Sequence, residues 1–306
     1  MTVPPSGAQH QIRSGGQVAV VTEVGATLRR YDVDGIAILE GFAEDEMCTG
    51  GRGEPLLPWP NRIAGGRYSV DGRDLQLALT EPGKGNAIHG LTRWTNWSCT
   101  AQSAAEVVME QTLHAQSGYP FVLALRIAYA LDDAGLTVTT TARNAGAAAA
   151  PYGAGFHPYL CLGAPRIDTL LLRIPAQTRL ELDDRSIPTG AQHPVAGTQD
   201  DFTGEREIGS TRLDTAFTDL LRDGDGLARV LLTDPSTGRG AALWLDEKLP
   251  YLMIFTGDGL EQPERRRTGL GVEPMTCAPD AFNNGRGLAL LQPGEEHTCR
   301  WGITPR

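Results

Sequence analysis

Short runs in which apolar and polar side chains alternate, or in which β-branched and aromatic residues crowd together, recur along the whole 306-residue chain. A period of two sends successive side chains to opposite faces of a pleated ribbon, so such runs read as half-buried strands. They fall at residues 17–21, 35–39, 67–70, 75–79, 106–113, 122–130, 136–143, 170–174, 229–232, 241–245, 251–255, 288–291 and 298–303. Asp-Gly pairs at 34–35, 71–72, 223–224, 225–226 and 258–259 punctuate them, and that dipeptide accepts the positive φ of tight hairpin turns. A period of 3.6 is nearly missing. Residues 215–221 suggest one short helix, with Asp214 read most simply as its N-cap. The 37 glycines and 20 prolines are spread through the chain, and neither a repeat nor a break in composition divides it. The pattern predicts an all-β sandwich or barrel forming one domain over residues 1–306.

Composition narrows the function classes. Hydrophobic residues make up 41% and charged residues 21%, as in a folded globular protein, and the net charge is −10. No basic cluster exceeds Arg265-Arg266-Arg267, so nucleic acid is not an expected partner. Residues 1–16 lack the apolar stretch of a signal peptide, and no run reaches the ~20 apolar residues of a membrane-spanning helix. A cytoplasmic protein without a membrane partner is expected. Five cysteines without CxxC spacing read as free thiols rather than as a zinc site or disulfide framework. The glycine-rich stretches at 83–85 and 238–240 match neither nucleotide-binding fingerprint, and the chain carries no G-x-S-x-G and no HExxH.

Candidate chemistry concentrates in five segments. His157 and Glu273 each lie between an apolar residue and a proline, in Gly155-Phe156-His157-Pro158-Tyr159 and Gly271-Val272-Glu273-Pro274-Met275. Burial there would raise the carboxyl pKa and lower that of the imidazole, moving both toward neutrality as an acid–base pair requires. Prolines stiffen the loop that presents Asn61 and Arg62, and the Arg62 fork of donors suits neighbouring sugar hydroxyls or a carboxylate. His89 leads into Gly90, and Asp214 opens Asp214-Thr215-Ala216-Phe217. For each residue taken singly, a structural role is the simpler account.

Taken in order, P-W-P-N-R-I-x-G-G-R-Y at 58–68, I-H-G-L at 88–91, F-H-P-Y-L at 156–160, L-D-T-A-F at 213–217 and E-P-M-T-x-x-P-D-A-F-N at 273–283 resemble the aldose 1-epimerases of the galactose mutarotase-like superfamily. The resemblance covers essentially the whole chain. It implies a large antiparallel β-sandwich, the galactose mutarotase-like supersandwich with few short helices, whose cleft interconverts the anomers of a small-molecule aldose without cofactor or metal. Carried over by position, it places the general base on Glu273, the general acid on His157, and the groups that hold the sugar on Arg62, His89 and Asp214, with Asn61 accompanying them. Such an acid must be an imidazolium, and a nearby carboxylate, Glu273 or Asp214, is expected to favour it.

The chain departs from the best-known members after both catalytic positions. His157 is followed by Pro158-Tyr159-Leu160 in place of an H-T-Y-F type segment, and Glu273 by Pro274-Met275 in place of Thr-Gln. These changes bear on sugar specificity and resemble a bacterial subgroup. Three alternatives stand beside this reading. A hexose-6-phosphate 1-epimerase would use an arginine such as Arg93 for the phosphate. A carbohydrate-binding or sensing protein would need no acid–base pair. A retaining hydrolase would need two close carboxylates, such as Glu273 and Asp214. Trp59, Trp94 and Trp97 could stack on a sugar's apolar face, with Trp59 favoured by its place beside Asn61-Arg62, although core or rim packing is the commoner role of such tryptophans. Oligomeric state, monomer or homodimer, is left open.

Overall fold

A computed structural model describes residues 3–306. Its framework is two large antiparallel sheets. The nine-stranded sheet runs in the order Ser98–Gln102, Glu106–Leu113, Leu123–Asp132, Gly135–Asn144, Glu296–Pro305, Gly240–Leu245, Ala228–Thr233, Leu171–Arg173, Arg206–Glu207. The eight-stranded sheet runs Pro188–Pro194, Ala176–Leu182, Asp214–Leu220, Tyr251–Phe255, Leu270–Met275, Gly155–Phe156, Pro55–Leu56, with Tyr159–Leu160 also pairing Leu270–Met275. Phe156 of the second sheet lies 5.3 Å from Trp301 of the first, ring centre to ring centre. One buried apolar cluster joins Val230, Leu243 and Ile303 of the first sheet to Leu252, Ile254 and Val272 of the second. This is a β-sandwich. A four-stranded sheet over residues 9–37 adds Ile12, Val21 and Tyr31 to the same core. Helix among the described residues is limited to two short turns, Pro263–Arg265 and Ala281–Asn284.

The chain forms these elements where the alternation is cleanest. Strands Arg67–Val70, Glu106–Leu113 and Tyr251–Phe255 carry the bounds expected from pattern alone. Asp34-Gly35 and Asp71-Gly72 have positive φ at both residues and turn Leu28–Val33 into Ile36–Ala37 and Arg67–Val70 into Arg73–Gln76. The expected helix at 215–221 does not form. Asp214–Leu220 is a strand, and Asp214, far from capping a helix, pairs with Phe255 across the sheet. The period was misleading because Ala216 and Phe217 are both buried, each on a different face of a strand covered on both sides.

Candidate active site

The second sheet has two apolar faces with different uses. Phe217, Leu252, Ile254 and Val272 point into the sandwich core. On the opposite face Asp214, Met253, Phe255 and Glu273 line a cleft of about 530 Å³. Met253 and Glu273 are register partners, as are Asp214 and Phe255. The rim is built from loops: 47–51 on one side, 259–262 on another, and the segments carrying Asn61-Arg62, Thr80-Glu81, Ile88-His89 and Arg93-Trp94.

His157 reaches Glu273 through an interrupted strand. Gly155 pairs with Met275 and Tyr159 pairs with Gly271, so the register puts His157 opposite Glu273. Pro158, which has no N–H to give to a ladder, separates the two short pieces, and its carbonyl accepts from Val272. His157 Nε2 then lies 3.3 Å from Glu273 Oε1, with both side chains buried. His157 Nδ1 and Glu273 Oε2 make no hydrogen bond to any other described residue. Burial pushes the Glu273 carboxyl well above the usual range, the charge of Asp214 adds to this, and Arg62 opposes it. Desolvation and the nearby Arg93, with Arg52 and Arg62 acting the same way, press His157 down to about 3. The expected carboxylate is therefore in place, yet burial and three arginines outweigh it. Both shifts favour the uncharged forms, an imidazole beside a carboxylic acid, which together hold the same number of protons as an imidazolium beside a carboxylate.

The strand pair Arg62–Ala64 and Asn86–Ile88 brings Arg62 and His89 into the same cleft, with the His89 ring edge-on to His157 at 5.4 Å between centres. His89 and Asn61 both have positive φ, 62° and 54°, and exchange a backbone hydrogen bond, His89 N–H donating to Asn61 O at 2.9 Å. Asn61 N–H in turn donates to His89 Nδ1 at 3.2 Å. That contact assigns the proton of neutral His89 to Nε2, leaving a donor. Desolvation first, then the charge of Arg93, with Arg62 acting the same way, hold His89 well below the ordinary imidazole range. Gly90 follows with φ 73°, and a Cβ there would meet Leu57 O at 2.0 Å, so only glycine lets this chain pass.

All six residues singled out by sequence line this cleft. Arg62 is less free than expected. Glu81 grips its fork, with Nε to Oε2 and Nη2 to Oε1 both at 2.8 Å, and only Nη1 stays uncommitted to that carboxylate. Glu81 was not foreseen, because nothing in Thr80-Glu81-Pro82 separates it from any loop glutamate. Trp59 is not placed to stack on a ligand. Trp59 is 2% exposed and packs edge-on against Phe282, whereas Trp94, 56% exposed, lines the cleft beneath the Arg93 guanidinium. Arg93 itself donates from Nη1 to buried Glu54 at 3.0 Å. Among the described residues no cluster of three or more His, Cys, Asp or Glu side chains is placed to hold a metal, and no helix is long and apolar enough to cross a membrane.

Comparison with known proteins agrees with this fold. The family model of aldose 1-epimerase matches residues 9–304. The uncharacterized protein YihR of Escherichia coli (strain K12) is 34% identical, the match covering 97% of this chain and 93% of that protein. Galactose mutarotase of Homo sapiens is 28% identical, covering 86% and 80%. Maltose epimerase of Levilactobacillus brevis is 27% identical, covering 95% and 93%. The solved GalM/aldose epimerase homologue from C. elegans superposes with a TM-score of 0.87 at 19% identity, covering 98% of each chain. With a sandwich of this topology and a family match spanning nearly its full length, the chain belongs to the aldose 1-epimerase family and is an isomerase.

Proposed function

We propose that the protein interconverts the α and β anomers of a hexopyranose, with Glu273 as general base and His157 as general acid. The observation that carries this reading is the 3.3 Å contact between the two side chains at the floor of the cleft. Glu273 takes the proton of the C1 hydroxyl as the C1–O5 bond breaks, and His157 delivers a proton to O5. The products of this step are the free aldehyde and the C5 hydroxyl. Rotation about C1–C2 and the reverse transfers close the ring on the other face. The single proton of the pair suffices, provided it lies on His157 when the sugar is seated. It passes from Glu273 Oε1 to His157 Nε2 across their contact, favoured by sugar hydroxyls donating to the carboxylate. Arg62, Asn61, His89 and Asp214 hold the hydroxyls: His89 through its Nε2 donor, Asp214 as an acceptor, Arg62 through Nη1.

The test is exchange NMR between anomers of D-glucose, D-galactose, maltose and glucose 6-phosphate, with wild type, Glu273→Gln and His157→Asn. Catalysed exchange that follows a bell-shaped pH curve, and that each substitution abolishes, is expected. A sugar that binds by calorimetry without exchange would instead mark a binding protein. Preference for the 6-phosphate would give Arg93 the phosphate, which its Nη1 bond to Glu54 weighs against.

A further inference from the structure

Most histidines that transfer protons are oriented by a hydrogen bond at the second ring nitrogen. His157 Nδ1 has no such partner from any other described residue, so something else must fix the ring. Tyr159 stacks on it, with ring centres 5.0 Å apart and planes 14° from parallel. A Cβ on Gly51 would stand 2.8 Å from Cδ2, 3.1 Å from Cγ and 3.2 Å from Nε2 of the same imidazole. Such similar distances to one ring atom and its two neighbours put Gly51 over the plane of the ring rather than beside its edge. Around these contacts, loop 50–54 grips the backbone of the same segment. Tyr159 Oη donates to Gly50 O at 2.8 Å, Gly53 N–H to His157 O at 2.9 Å, and His157 N–H to Glu54 O at 3.1 Å. Arg52 lies 5.0 Å over the Tyr159 ring and is itself paired with Glu40, whose other oxygen takes Arg265.

We infer that Tyr159 and Gly51 are positioning residues that clamp the His157 imidazole by packing in place of a hydrogen bond, with Arg52 bracing Tyr159 from behind. This rests on His157 being the acid of the proposed reaction. It adds the reason that glycine stands at 51 and an aromatic ring at 159. A side chain at 51 would displace the ring, and φ of +76° there strains any other residue. Loss of the stack would let the imidazole rotate about its side-chain bonds. A misplacement of about 1 Å in a reacting group costs on the order of 10²-fold in rate.

The clamp is tested with Tyr159→Leu, Tyr159→Phe and Gly51→Ala in the full chain, using D-glucose and D-galactose as probes. Tyr159→Leu and Gly51→Ala are expected to lower kcat about 10²-fold with KM nearly unchanged, whereas Tyr159→Phe, which keeps the stack, stays within a few-fold of wild type. The His157 ring protons, assigned by their loss in His157→Asn, are shifted upfield by the Tyr159 ring current in the free protein. That shift is expected to persist in Tyr159→Phe and vanish in Tyr159→Leu. Full kcat in a folded Tyr159→Leu or Gly51→Ala protein, or unshifted His157 protons in wild type, overturns the clamp. If Tyr159→Leu fails to fold, Gly51→Ala and the wild-type spectrum still decide. Full activity of His157→Asn would defeat the proposed acid role whatever the clamp variants do, whereas an inactive His157→Asn beside a fully active Tyr159→Leu defeats the clamp alone.

Discussion

The two large sheets solve different problems. In the nine-stranded sheet, Leu123–Asp132 and Gly135–Asn144 pair residue for residue over their whole length, and the inward set of Leu125, Ile127, Tyr129, Val138 and Ala142 is buried apolar surface. In the eight-stranded sheet the strands near Glu273 are short. The one that carries His157 is broken by Pro158, and its neighbourhood leaves His157 Nδ1, Glu273 Oε2, Glu54 Oε1 and Arg52 Nη2 without partners from other described residues. Unpartnered buried polar atoms occur in the nine-stranded sheet as well, at Thr140 Oγ1, His297 Nδ1 and Trp301 Nε1, so the difference lies in the ladder: an interrupted one aims side chains that a regular one would turn away. One sheet is a regular ladder. The other breaks its ladder to place chemistry.

That contrast can be broken most sharply at Glu273 and His157. Glu273→Gln and His157→Asn should each reduce catalysed anomer exchange by ~10²–10⁴-fold while the thermal midpoint holds or rises, as expected where a strained polar site has been relieved. A large fall in the midpoint would mean that these residues support the fold rather than the reaction. The mirror experiment lies in the core. Trp301→Ala should cost about 3–5 kcal/mol in denaturant unfolding without changing the sugar affinity of the protein that remains folded; a loss under 1 kcal/mol would contradict the packing described.

A pH experiment reads the same difference more finely. The unfolded imidazole takes its proton near 6.5, while the folded His157 resists until about 3. Over that window His157 taken by itself binds fewer protons in the folded state, so its contribution to stability falls as the pH drops from about 6.5 to about 3. His157→Asn should remove part of that slope. Glu273 has the opposite sign: its raised pKa contributes stability below the unfolded carboxyl value and loses it as pH rises through the folded value, so Glu273→Gln should gain most at neutral and alkaline pH. Equal slopes for wild type and His157→Asn between pH 6.5 and 3 would show that the ring is not held neutral. The smallest effect is expected at Glu81. Glu81→Gln loosens the Arg62 fork and should raise KM about tenfold, ~1.4 kcal/mol, with kcat less affected; an unchanged KM would leave the Glu81–Arg62 pair without a part in sugar binding.

Legibility followed the same division. Expected bounds match Glu106–Leu113 and Tyr251–Phe255, where alternation or a dense apolar run dominates. Leu270–Met275, which carries Glu273, escaped because Gly271 and Pro274 hide it, although all six of its residues are buried. Asp214–Leu220 was mistaken for a helix because a strand covered on both faces loses its period of two. Trp59 lies in the core rather than in the cleft because exposure depends on what packs above a residue, and Phe282, more than two hundred positions away, covers it.

By itself the sequence determined the all-β class, the family resemblance and the six cleft residues, because hydrophobic period, turn chemistry and ordered motifs are local properties of a chain. Only the tertiary structure decided that His157 and Glu273 share one register, that Glu81 occupies most of the Arg62 fork, that burial presses both members of the pair toward their uncharged forms, and that Tyr159 and Gly51 meet the His157 ring. Those depend on which strands lie side by side and on how far water and other charges are from a given atom, and no stretch of sequence carries either.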